Sequence, residues 1–114
     1  MAVQPGRYNF QVQRRADHGF LLEFKDSEEA AIDLTGWTVL AQAWNIGRTK
    51  KYTDFTVTYV NRASGQVKLT LSAEQTTALP APCEYDVLLI NPAGIREYYV
   101  EGTITASEGY TVAP

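Results

Sequence analysis

The stretch Trp37–Trp44, with the sequence WTVLAQAW, decides the fold. Every second position in its first seven residues is apolar: Trp37, Val39, Ala41 and Ala43. A period of two is the spacing of side chains on one face of a β-strand, whereas a helix repeats every 3.6 residues. The stretch therefore predicts a strand with one buried face.

The same alternation recurs on both sides of this stretch. Residues 8–12, 20–24, 55–59, 67–71, 83–90 and 96–106 all show it, and Gly, Asn, Asp, Ser or Pro residues separate most of them. About seven short strands with turn signals roughly every 10 residues indicate an all-β, immunoglobulin-like antiparallel β-sandwich. A small β-barrel is the alternative.

Only one segment has a helical signature. Ser72 is followed three residues later by Gln75, which is the pattern of an N-terminal capping box, and Pro80 ends the segment. We expect one or two helical turns up to Leu79. Tyr85 follows near the start of the sixth strand, where it is either a tyrosine corner or a core residue.

The length and hydropathy indicate a single domain. A chain of 114 residues with 45% hydrophobic residues can form one core, which we place at about residues 8–106, with short N- and C-terminal arms outside it. No apolar run approaches the 18 residues of a membrane span, and the first 17 residues do not resemble a signal peptide. We expect no membrane partner.

The charge balance argues against nucleic acid as a partner. The chain has 10 Lys+Arg against 13 Asp+Glu, a net charge of −3, whereas nucleic-acid-binding domains are basic. The main cationic run contains Arg48, Lys50 and Lys51. It is either a solvated loop or an electrostatic contact for an acidic neighbour.

Residues capable of catalysis or metal binding are few and scattered. His18 lies in a polar turn, and Cys83 follows Pro82 at a strand start, where a small buried side chain is expected. The acidic residues of one turn read as a solvated loop, because they lack the alternating ligands of a calcium loop: Asp26, Glu28, Glu29 and Asp33. We predict no catalytic site, cofactor or metal, and no enzymatic activity.

Of three strands expected to share one sheet, two have an unusually apolar outer face. If Val39 and Ala41 point inward, the alternate residues of that strand point outward. The outward positions of this strand and of residues 83–90 are too apolar for a solvated face. Applied to three strands of one sheet, this phase predicts a partner interface of Leu40, Trp44, Leu88, Ile90 and Tyr99. The alternatives are a terminal segment that covers the sheet or a reversed phase.

Three segments carry a resemblance to a known family. They are residues 31–39 (AIDLTGWTV), 65–76 (GQVKLTLSAEQT) and 85–87 (YDV). The chain resembles small bacteriophage virion proteins, in particular the immunoglobulin-like domain at the N-terminus of phage baseplate upper proteins. The resemblance extends from Tyr8 to about Thr105, and the sequence departs from it at Ala81–Cys83.

The resemblance implies a structural role in the virion. The expected function is a non-enzymatic tail, baseplate or fibre-adaptor component, assembled in the host cytoplasm and docked to other virion proteins as a homo-oligomer in a symmetric assembly. A head decoration (cement) or neck protein is an alternative of the same kind. A carbohydrate- or receptor-binding module is a different class, in which exposed aromatic rings stack on sugars: Trp44, Tyr52, Tyr59 and Tyr99.

Overall fold

A computed structural model describes residues 6–26 and 28–108. Within these ranges the chain forms one helix, α1 (Ala73–Ala78), and nine strands. The strands are β1 (Gly6–Arg7), β2 (Phe10–Gln13), β3 (His18–Glu23), β4 (Thr38–Trp44), β5 (Lys51–Asp54), β6 (Thr56–Asn61), β7 (Gln66–Leu71), β8 (Cys83–Ile90) and β9 (Arg96–Ser107). The parts of the predicted arms at residues 1–5 and 109–114 lie outside the described ranges.

The strands form two sheets, which confirms the predicted all-β sandwich. The larger sheet has the order β1-β9-β8-β4-β5, with β2 also paired to β9, and the smaller has the order β3-β7-β6. These orders match the G-F-C-C′ and B-E-D strands of immunoglobulin-like sandwiches. Nine strands replace the predicted seven because β1 and β5 form outside the predicted strands.

Alternate side chains of the central strands fill the space between the sheets. In β4, β7 and β8 every second residue is buried, as the period-two pattern predicted. The residues are Val39, Ala41 and Ala43 in β4; Val67, Leu69 and Leu71 in β7; and Cys83, Tyr85, Val87 and Leu89 in β8. The opposite faces of these strands point away from the core.

The N-terminal strand is divided and pairs in parallel, which the antiparallel prediction did not include. β1 and β2 both lie alongside β9, and Tyr8 and Asn9 interrupt them. The hydroxyl of Tyr85 donates a 2.5 Å hydrogen bond to the carbonyl of Tyr8, 77 residues away. Tyr85 is therefore a core residue that holds the N-terminal strand, since a tyrosine corner bonds to nearby upstream backbone.

The predicted fourth strand lies in β6 of the smaller sheet, and the unpredicted strand β5 precedes it in the larger sheet. β5 pairs with β4 in the larger sheet and β6 pairs with β7 in the smaller one, and the buried Phe55 joins them. The Phe55 amide donates a 2.9 Å hydrogen bond to the carbonyl of Ala41 at the crossing. Lys51, expected in a loop, begins β5.

The short helix has the predicted capping box. The Ser72 hydroxyl accepts from the Gln75 amide at 3.1 Å, and the Gln75 side chain accepts from the Ser72 amide at 2.8 Å. Gln75 also donates to the Asp54 carbonyl at 2.8 Å, so that the cap is tied to the end of β5. At the other end, Arg14 donates to the Leu79 carbonyl at 2.7 Å, which satisfies an acceptor just after the helix.

Candidate docking face and groove

The outer face of the larger sheet contains most of the predicted interface. β4 and β8 pair so that Leu40 lies opposite Leu88, Thr38 opposite Ile90, and Trp44 opposite Glu84. Paired residues point to the same face of a sheet, so that the pairing brings Leu40 and Leu88 together and places Ile90 next along β8. Trp44 lies on the same face, two outward positions from Leu40.

Tyr99 does not lie on this face, and its predicted outward orientation is wrong. Its ring centroid is 4.7 Å from that of Phe24, inside the sandwich, and its hydroxyl accepts from the Lys25 amide at 3.0 Å. The cause is a β-bulge: Val87 pairs with Val100, but the next residue, Leu88, pairs with Tyr98. The bulge places one extra residue in β9, so that the inward and outward positions of the residues before it, including Tyr98, are exchanged.

Tyr98 takes the outward position that was predicted for Tyr99. Its exposed fraction is 42%, close to the 44% of Leu40, and Leu88 between them is half-buried. We define the apolar patch as Leu40, Leu88, Ile90 and Tyr98. It crosses three neighbouring strands of a sheet whose other face is already covered by the core.

A polar groove lies next to the apolar patch on the same face. Its volume is about 430 Å³, and the residues that line it include Trp44 and Tyr98. Between them runs a row of polar residues, one from each of four neighbouring strands, in the order Gln42, Asp86, Glu101 and Arg7. Further lining residues come from β8 and the β4–β5 loop: Glu84, Tyr85, Asn45, Ile46 and Arg48.

The carboxyl group of Asp86, on the groove floor, has a raised pKa. Burial raises its pKa, the nearby positive charge of Arg48 partly offsets this, and Glu101 on the neighbouring strand raises it further. Two carboxylates at paired positions repel each other. The groove therefore keeps an acidic pair that is unfavourable for folding.

Of the predicted basic residues, only Arg48 belongs to the groove. Its backbone is left-handed, with φ of 56°, and the Asn45 side chain accepts hydrogen bonds from the Thr49 and Lys50 amides across the loop. Lys50 is exposed in this loop, and Lys51 forms a 3.0 Å salt bridge with Asp54 at the surface. The structure does not gather the three cations into one cluster.

Two of the aromatic residues considered for sugar stacking lie against the core with Tyr99. Tyr52 and Tyr59 are partly buried there, and the Tyr59 hydroxyl accepts from the Val39 amide at 2.9 Å. Of the four residues considered, only Trp44 lines the groove. Its indole N–H donates a 3.0 Å hydrogen bond to the Gln42 side chain.

The sequence interpretation did not propose Arg7, Tyr98 or Glu101 as site residues. Asp86 carried a readable signal, because it is a charged residue in the otherwise largely apolar strand Cys83–Ile90. Arg7 and Glu101 carried none, since their proximity depends on the parallel pairing of β1 with β9. The position of Tyr98 depends on the bulge.

The residues considered for catalysis lie apart from the groove floor. His18 stacks on Phe10 with ring centroids 4.8 Å apart, and burial lowers its pKa. Cys83 is buried, and burial raises its thiol pKa to about 11, so that it stays protonated at neutral pH. The Asp26 carboxylate accepts from the Glu28 and Ala30 amides and so closes its own turn.

No group of three or more His, Cys, Asp or Glu side chains in residues 6–26 and 28–108 is arranged to hold a metal ion. In the same part of the chain, no helix combines the length and apolar character needed to cross a membrane.

Comparisons with known proteins do not extend the sequence resemblance. No protein-family model matches the chain, and no curated protein sequence matches it significantly.

Proposed function

We propose that the chain is a non-enzymatic bacteriophage virion structural protein that docks to other virion subunits through the apolar patch. The observation that carries this proposal is the row Leu40, Leu88 and Tyr98, which crosses three strands on the outer face of a sandwich. The resemblance of residues 31–39 and 65–76 to phage virion proteins supports the tail, baseplate or fibre-adaptor setting.

The patch has the properties of a contact surface. An outer sheet face in water is normally polar at alternate positions, whereas Leu40 and Tyr98 are 44% and 42% exposed. Their strands lie within one hydrogen-bonded sheet, so little backbone entropy is lost when a partner binds. An aromatic residue beside aliphatic ones is typical of the centre of a protein interface.

The proposed partners are other virion proteins, among them neighbouring copies of this chain in a symmetric assembly. Self-association is tested by light scattering after size-exclusion chromatography, at two concentrations about tenfold apart. Leu40→Glu introduces a charge into the patch. Leu21→Glu is the matched control, because Leu21 is 51% exposed on the smaller sheet.

We expect the wild-type chain and Leu21→Glu to form the same oligomer, and Leu40→Glu to be monomeric with an unchanged melting temperature. An oligomer that forms equally well in all three proteins would exclude the patch as the contact between copies. A monomeric wild-type chain would exclude copies of this chain as the partner. The partner would then be a different virion protein, which the experiment on particles tests.

The virion role is tested on particles of the phage or prophage that encodes the chain. Mass spectrometry of purified particles should detect the wild-type chain and Leu21→Glu at similar levels, and Leu40→Glu at a level at least about tenfold lower. Particles that contain other structural proteins but lack the wild-type chain would refute the virion role. Gold labelling would then separate a tail or baseplate position from head decoration or a neck position.

A carbohydrate-binding role is the second candidate function. The groove favours it, because Trp44 and Tyr98 flank a row of hydrogen-bonding side chains.

A further inference from the structure

We propose that the groove of the larger sheet is a binding site for an uncharged oligosaccharide, an inference that rests on the carbohydrate-binding candidate and names its ligand class. The groove combines the aromatic side chains of Trp44 and Tyr98 with a floor of hydrogen-bond donors and acceptors. Its position on the sheet favours a sugar over an extended peptide. The floor of the groove is the row Gln42, Asp86, Glu101 and Arg7, and Trp44, Tyr98 and Arg48 lie around it.

The groove has the dimensions of a site for a short chain of sugar rings. Its floor row crosses four strands, β4, β8, β9 and β1, whose spacing of about 4.8 Å gives a length of about 15 Å. On β4, Trp44 is the next outward residue after Gln42. On β9, Tyr98 lies on the other side of the row, beside Leu88. The row is therefore flanked by an aromatic residue on each side.

The lining chemistry suits sugar hydroxyls. A hydroxyl both donates and accepts hydrogen bonds, and the floor offers the acceptors Asp86 and Glu101 beside the donor Arg7. The apolar face of a sugar ring can pack on an indole or phenol ring, which buries a large area with few rotatable bonds. The bond from Trp44 to Gln42 at 3.0 Å holds the indole in place before a ligand binds.

The charge of the groove favours a neutral ligand. The carboxylates of Glu84, Asp86 and Glu101 lie beside the guanidinium groups of Arg7 and Arg48, so that opposite charges nearly balance. A strongly anionic ligand would meet the carboxylates, and a strongly cationic one would meet the two arginines.

An extended peptide is a poorer fit than a sugar. Peptides that add to a sheet use the free backbone groups of an edge strand. Of the four strands that the groove crosses, β4, β8 and β9 lie inside the sheet, and only the two-residue strand β1, at one end of the row, is an edge strand. Side chains must therefore supply the recognition, as the floor row does.

The experiment begins with the labelled full chain on an array of neutral and charged glycans. Binders are then titrated by NMR and calorimetry against the wild-type chain, Trp44→Ala and Asp86→Asn. Leu40→Glu is the control, because Leu40 belongs to the apolar patch and does not line the groove. Melting curves establish that each variant is folded. If Trp44→Ala does not fold, Asp86→Asn still tests the groove.

We expect saturable binding of a neutral glycan with chemical-shift changes at Gln42 and Asp86. Trp44→Ala should weaken binding about tenfold, the effect expected from the loss of one aromatic contact, and Asp86→Asn at least about threefold. Leu40→Glu should bind at least as tightly as the wild type, because it leaves the groove lining unchanged and removes only the competing subunit contact.

Three outcomes would overturn the proposal. One is the absence of binding on the array together with no shift changes at millimolar neutral oligosaccharide. Another is glycan binding that Trp44→Ala and Asp86→Asn leave unchanged. The third is a groove that responds only to peptides or to charged glycans.

Discussion

Gly102 should not tolerate even a methyl group, because of the N-terminal strand that lies beside it. A Cβ atom added to Gly102 would lie 1.9 Å from the Tyr8 carbonyl oxygen and 3.0 Å from a ring carbon of Tyr85. Real Cβ atoms do not come within 3.0 Å of a backbone atom, so that Tyr8 must move by more than about 1 Å. The substitution Gly102→Ala therefore displaces β1 and β2 from β9.

The energetic cost follows from the hydrogen bonds at Tyr8. Its carbonyl accepts from the Tyr85 hydroxyl at 2.5 Å, and its amide donates to the Glu101 carbonyl at 3.0 Å. Losing two such bonds costs about 2 kcal/mol, and leaving the buried Tyr85 hydroxyl unpaired costs about 1 kcal/mol more. We expect Gly102→Ala to lower the free energy of unfolding by about 3 kcal/mol.

Urea unfolding followed by tryptophan fluorescence measures this loss, and hydrogen exchange at the Tyr8 amide locates it. Gly6→Ala is the matched control, because its new Cβ would lie 3.8 Å from the Tyr99 carbonyl oxygen, an ordinary contact. That variant should stay within about 0.5 kcal/mol of the wild type. A Gly102→Ala protein with wild-type stability and wild-type protection of Tyr8 would refute the argument.

Three further predictions concern titration and capping. Burial lowers the pKa of His18 in the folded chain, so that the unfolded chain binds a proton more readily when the pH falls below about 6.5. The melting temperature should therefore be highest above this pH and decrease below it. In His18→Asn this contribution to the decrease should be absent. Asp86→Asn should raise the melting temperature at pH 7, because burial and Glu101 raise the pKa of the native carboxyl group and so disfavour its charged form. The gain should disappear below pH of about 3.8, where the Asp86 carboxyl group is protonated and as neutral as its Asn replacement. A gain that persists at that pH would contradict the electrostatic cause. Ser72→Ala should cost about 1 kcal/mol in urea unfolding because it removes the helix cap, and an unchanged midpoint would show that the cap contributes nothing.

The parts of the fold that depend on local pattern could be predicted from the sequence. The alternation in Thr38–Trp44 and Cys83–Ile90 gave the correct inward faces, because a period of two leaves only two phases and one is apolar. The capping box at Ser72 was also readable, since all its partners lie within four residues.

The parts that depend on non-local pairing could not be predicted. The bulge between Val87 and Leu88 has no clear local signature, yet it exchanges Tyr98 for Tyr99 on the outer face. The place of Arg7 beside Glu101 requires the parallel pairing of two chain segments 94 residues apart. The apolar half of the candidate site was thus largely predictable, and the groove was not.

The register of the sheet also links the two proposed sites. Successive outward residues on a strand are about 7 Å apart, so that Leu88, in the patch, and Asp86, on the groove floor, are close neighbours on β8. Tyr98 belongs to the patch and also lines the groove. A subunit seated on Leu40 and Leu88 would therefore extend over the groove, because a protein interface covers about 800 Å² on each partner. The two proposals then predict that a docked chain and a saccharide-bound chain are alternative states of the same face.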